Sequence, residues 1–225
     1  MLFYDVVDRC HGLYENFINC VAFYIRGCEI LVTELFKFVC DRWKVFALFN
    51  LLFFGCVLTV VVLAGFTFPP PLYNGWSPSV PEVFLGGGWP VMFLGIFLFN
   101  LCVSAFVVVT LPGIVLFPLS AVFLLYRAVL WGFLLNALPT WPFLAVLPTV
   151  VLEGEGYVFS AAVGTVVGAS WIKPDWVFKD GELSRIDAFK RALKEGLRGY
   201  VFVAVLLLVA AVVETATIMF LSTLP

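Results

Sequence analysis

Arg127, Glu153, Glu155 and Glu214 are charged residues set inside long apolar stretches, and Asn100 is a polar companion in another such stretch. A charge in hydrocarbon costs several kcal/mol at the order-of-magnitude level, so each of these side chains needs a partner or a task. Two kinds of chemistry suit them. They can form an ion-pair and hydrogen-bond network that fixes helix registry, or a relay in which carboxyls exchange protons or bind a monovalent cation. Serine–histidine hydrolysis lacks its parts, because the only histidine is His11. No HExxH or CxxC spacing occurs, so no metal set and no cofactor is expected. Cys10, Cys20, Cys28 and Cys40 then read as free thiols, with Cys56 and Cys102 as small apolar residues within spans.

The elements that must carry these residues follow from composition. With 63% hydrophobic and 12% charged residues among 225, the bilayer is this protein's solvent. The net charge of −2 provides no basic surface for nucleic acid. The expected fold is all-α, a polytopic membrane bundle of about five transmembrane helices preceded by an N-terminal amphipathic segment. Residues 1–44 mix charges with apolar positions at three- and four-residue steps, which predicts an interfacial helix. Within residues 45–225 the spans are expected at Val45–Thr67, Val91–Leu111, Gly113–Leu138, Phe143–Ser170 and Gly199–Leu221. Thr110 to Gly113 leave almost no loop, so the second and third spans are expected to form a tight hairpin or one broken pair, with Pro118 as a point where the third can kink.

Charge sets the orientation. Of 13 Lys and Arg residues, 12 lie in 1–44 or 171–198, and the turn-rich loop 68–90 has none. Both basic segments are therefore expected in the cytoplasm of a plasma membrane, with four spans between them and the C-terminus outside. The connector 171–198 contains an amphipathic helix over Asp180–Arg198, with Ser184 and Asp187 at capping-box spacing. Its Lys190, Arg191, Lys194 and Arg198 can meet the anionic headgroups of membrane lipids. Trp43, Trp76, Trp89, Trp141, Trp171 and Trp176 fall near span ends, as an aromatic belt requires.

At ~1.5 Å per residue, Asn100 and Glu153 lie about 14–15 Å below the outer ends of their spans. Arg127 and Glu214 fall about 21–22 Å along theirs from the cytoplasmic side, so all four residues can share one layer. In the fourth span Gly156, Ser160, Gly164 and Gly168 form a small-residue stripe whose mean direction nearly coincides with that of Glu153. The stripe serves close packing inside the bundle or, as the alternative, a homo-oligomeric seam. Glu155 points the opposite way on a regular helix. Either it faces a second interface, or the helix breaks between Gly154 and Gly156.

In order along the chain stand Phe97-Leu98-Phe99-Asn100-Leu101, Gly113, and Leu125-Tyr126-Arg127-Ala128-Val129-Leu130-Trp131-Gly132, then Leu147-Pro148-Thr149-Val150-Val151-Leu152-Glu153, Glu214-Thr215 and Thr223-Leu224-Pro225. This succession resembles the stage II sporulation protein M family of integral membrane proteins. It covers Val91 to Pro225. Arg127-Ala128 stands where that family usually has Asn-Gly, and Thr149-Val150 where it has His-Gly. The resemblance implies a non-enzymatic membrane scaffold that recruits membrane or envelope protein partners. The residues themselves also admit a small cation- or proton-coupled transporter or channel.

Overall fold

The computed structural model describes Thr33 and residues 37–67, 88–138, 140–178 and 183–222. The chain divides into two compact units, Met1–Asp41 and Arg42–Pro225. In the first, Thr33 and residues 37–41 are helical. The rest of the predicted amphipathic segment, with His11 and three of its cysteines, lies outside the described residues, as do loop residues 68–87.

The second unit is built from α1 (Trp43–Thr67), α2 (Gly88–Leu98), a π-helical segment (Phe99–Thr110), α3 (Leu111–Val115), α4 (Pro118–Ala137), α5 (Thr140–Ile172), α6 (Pro174–Val177) and α7 (Arg185–Ser222). No strand occurs among the described residues. Among the described residues, five continuous helical stretches are long and apolar enough to cross a membrane: 43–67, 88–115, 118–137, 142–172 and 185–222. Helices prevail for a physical reason, since in hydrocarbon only a helix satisfies its own backbone polar groups within one segment.

Helix α5 is the axis of the bundle. Within its most apolar window 78% of residues are buried, against 22–33% in the other four spans. Its most extensive packing is with α7, while α1 packs chiefly on α4. Arg42 donates to Glu195 at 2.8 Å, so the start of α1 and the first part of α7 meet at one end of the unit. Within this unit Arg42 and the basic first part of α7 thus lie at the same end, with four spans between them. Trp43, Trp89, Trp171 and Trp176 are exposed at helix ends.

Three details differ from the sequence expectation, and one open alternative is decided. The second span does not stop at Leu111 but continues to Val115, and the hairpin turns at Leu116 and Phe117. Pro118 does not kink the third span. It is the first residue of α4, where its missing N–H has no helical partner to lose. Amphipathic connector and last span are one uninterrupted 38-residue helix rather than two. The predicted cap is present at its start, where Ser184 Oγ accepts from the Asp187 N–H at 3.2 Å and donates to Asp187 Oδ2 at 2.6 Å. Finally, α5 runs without a break through Gly154 and Gly156.

The π-helical segment was not foreseen. Its buried residues are Asn100, Ser104, Ala105, Val109 and Thr110, spaced by four or five rather than three or four. The wider turn puts Asn100 and Thr110 on the side facing α5. Thr110 Oγ1 lies 2.9 Å from Ala105 O, 3.0 Å from Ser160 O and 2.7 Å from Tyr200 Oη, joining this span to α5 and α7.

Candidate functional site: a polar cavity between four spans

Glu153 and Tyr157 are one turn apart on α5 and therefore share a face. That face is turned inward: Glu153 is 2% exposed and Tyr157 is fully buried. The π-helical segment presents Asn100 opposite them. Asn100 Nδ2 donates to Glu153 Oε1 at 2.5 Å. The Tyr157 hydroxyl lies 3.0 Å from Asn100 Oδ1 and 2.9 Å from Glu153 Oε2, so its single proton is shared between two acceptors. Each of the three side chains thus bonds both others across two spans. From α4, Arg127 Nη2 donates to Tyr157 Oη at 2.8 Å. The Arg127 guanidinium carbon is 4.8 Å from the centroid of the Tyr157 ring, a cation–π distance.

Beside this network is a cavity of about 260 Å³, lined by Ile96, Phe99, Asn100, Arg127, Leu130, Trp131, Leu134, Glu153 and Glu214. The structure brings Asn100, Arg127, Glu153 and Glu214 together from four different spans, as their depths suggested. Three buried polar atoms of the wall have no hydrogen-bond partner: Arg127 Nε, Trp131 Nε1 and Glu214 Oε2. An unsatisfied buried polar atom costs about 1–3 kcal/mol, so these three atoms define a locus where polar matter would be held favourably.

Glu155 is not part of the cavity. On the continuous helix it faces α1, with its carboxyl against the side chain of Asn50. Next to it, a Cβ on Gly154 would come within 2.6 Å of the Phe53 ring, so that glycine admits α1. Glu155 accordingly belongs to a second interface.

The small-residue stripe packs inside the unit. A Cβ on Gly156 would meet Leu207 of α7 at 2.8 Å. Ser160 O receives Thr110, as described above. On Gly164 a Cβ would lie 2.8 Å from Thr110 O, and on Gly168 it would overlap Gly113 O outright. Around this contact Ser120 Oγ donates to Val109 O at 3.1 Å, Thr165 Oγ1 to Phe117 O at 3.3 Å and Trp171 Nε1 to Ile114 O at 3.0 Å. The hairpin between the second and third spans is therefore seated on α5 backbone to backbone.

Two site residues lay outside the sequence reading. Tyr157 is the hub of the network, and its signal was available as an i, i+4 neighbour of Glu153 on an apolar helix. Trp131 is turned into the bundle, 8% exposed, unlike the tryptophans at the span ends. At the two positions departing from the family pattern, Arg127 reaches Tyr157, Ala128 is fully buried, and Thr149 is buried with its hydroxyl unpartnered.

No curated protein and no solved structure matches the chain. The sequence profile described as stage II sporulation protein M matches residues 46–217. That match begins one span earlier than the resemblance read from motifs and contains all four polar cavity residues. A five-helix apolar architecture and a profile match over most of its length agree: the chain belongs to the stage II sporulation protein M family, a family of integral membrane proteins.

Proposed function

We propose that this protein is a non-enzymatic scaffold of the plasma membrane that recruits membrane or envelope protein partners, with its N-terminus in the cytoplasm and its C-terminus outside. The carrying observation is how α5 is held. Three mutually bonded side chains lock it to the second span, and the glycine contacts of its other half seat the hairpin directly on its backbone. A helix fixed at both ends is suited to presenting a constant shape to partners. The exposed apolar residues of the surrounding spans supply the membrane-embedded surface for them. Repeated affinity capture from native membranes should return the same envelope proteins in stoichiometric amount; recovery of this chain with lipid alone would refute the reading.

A second reading, a small cation- or proton-coupled transporter, is favoured by one feature: Glu153 and Glu214 line the same cavity, and Glu214 Oε2 is unpartnered there. On that reading, purified protein in liposomes carries an ion flux that Glu153→Gln and Glu214→Gln each reduce. Vesicles as tight as protein-free ones would exclude it.

A further inference from the structure

The cavity holds a guanidinium and a carboxyl apart, the carboxyl being hydrogen-bonded to that of Glu153. Arg127 on α4 spends one Nη on Tyr157 and leaves Nε without a partner, while Glu214 on α7 leaves Oε2 without one. Neither side chain reaches the other to form an ion pair, although both line the same space of about 260 Å³. In a low-dielectric surrounding, a guanidinium and a carboxyl attract strongly, and a charge left without a partner is costly. Their separation leaves room for a group with the reverse order of charge, an anionic oxygen against Arg127 and an N–H donor against Glu214. Both unpartnered atoms are covered by neighbouring wall atoms. Arg127 and Glu214 are each only partly buried as whole residues, so part of each side chain already reaches the cavity surface.

The mouth indicates the direction of entry. Phe99, Leu130 and Leu134 line the cavity and remain 55%, 42% and 49% exposed on the surface that hydrocarbon would cover. A polar floor behind an apolar rim suits a guest arriving from within the bilayer. The floor is far from the surface, since Arg127 lies about 15 Å from the Ala137 end of α4 at the usual helical rise. A guest would therefore pass sideways, between the second and third spans.

We infer that this cavity binds a small zwitterionic head bearing an anionic phosphate or carboxylate and a primary ammonium, with the anion on Arg127 and the ammonium on Glu214. The inference goes beyond the recruiting role and does not depend on it. An aminophospholipid and a free aminoalkyl phosphate carry the same chemistry, and the test separates them.

The full-length protein is purified in neutral detergent and exchanged against mixed micelles containing phosphatidylethanolamine, phosphatidylcholine or phosphatidylglycerol, and bound lipid is counted by native mass spectrometry. Phosphatidylethanolamine should be retained at least about tenfold better than phosphatidylcholine, whose quaternary nitrogen has no N–H, and better than phosphatidylglycerol, which has no nitrogen. Glu214→Gln should narrow the preference over phosphatidylcholine severalfold, and Arg127→Met should weaken retention of phosphatidylethanolamine. Soluble phosphoethanolamine forms the second arm. If it binds while the lipid does not, the same site is served from water and the proposal stands with that source. Equal retention of all three lipids together with no binding of phosphoethanolamine overturns it. So does a wild-type preference that Glu214→Gln leaves unchanged in protein with an unaltered gel-filtration profile. The lipid comparison on the wild-type chain needs no variant to fold.

Discussion

The two halves of α5 solve opposite problems. Toward its N-terminal half, Glu153 and Tyr157 require space and partners, and the structure supplies Asn100, Arg127 and a cavity of about 260 Å³. Toward its C-terminal half, Gly164 and Gly168 abolish space, so that Thr110 and Gly113 approach backbone to backbone. Cohesion at one end comes from directional bonds between long side chains; at the other it comes from the absence of side chains. The lesson is about tolerance. A bond between flexible groups can be re-made after a small change, whereas a contact between two backbones cannot yield.

That contrast can be broken by substitution, and the largest effect is expected where backbone meets backbone. Gly168→Ala would drive a methyl group into Gly113 O, and it should lower the unfolding free energy in detergent by about 2–3 kcal/mol, measured by denaturant titration. Near-wild-type stability would show that the hairpin can lift from α5 cheaply. In the polar half, Glu153→Ala strips the acceptor from both Asn100 and Tyr157 and should cost about 1–2 kcal/mol, with Glu153→Gln costing less because Oε1 survives as an acceptor. If Glu153→Gln is as damaging as Glu153→Ala, the network depends on charge rather than on hydrogen-bond geometry. The smallest effect is expected where a glycine faces a flexible side chain. Gly156→Ala meets the side chain of Leu207 rather than backbone, so a loss of about 1 kcal/mol, below that of Gly168→Ala, is expected. A loss equal to that of Gly168→Ala would erase the distinction between backbone and side-chain contacts.

Much of this arrangement was legible in the residues. The spans could be read because apolar windows as long as Trp43–Thr67 admit few alternatives in water or lipid. Convergence of Asn100, Arg127, Glu153 and Glu214 could be read from depth, since helical rise converts residue number into distance. Depth does not give direction, however, and Tyr157 escaped notice because an aromatic residue in a membrane helix ordinarily signals packing or an interfacial anchor. The π-helical turn escaped for another reason. Around Phe99–Thr110 hydrophobicity does not mark the buried face, since three of its five buried residues, Asn100, Ser104 and Thr110, are polar while the exposed Phe99, Val103, Phe106 and Val107 are apolar. The hairpin was placed too early because Thr110-Leu111-Pro112-Gly113 has turn-like residue types. There Pro112 opens α3 as a tolerated early helical residue, and Gly113 is demanded by the approach of Ser120 and Gly164 rather than by a turn.

One further consequence follows from the fusion of connector and last span into α7. At about 1.5 Å per residue this helix is roughly 57 Å long, almost twice a ~30 Å hydrocarbon core. Glu195, held by Arg42, and Glu214, in the cavity wall, therefore sit on one unbroken helix, 19 residues or about 28 Å apart. An uninterrupted helix has no joint between these two points, so the ion pair at one end of the bundle and the wall of the cavity belong to a single structural member.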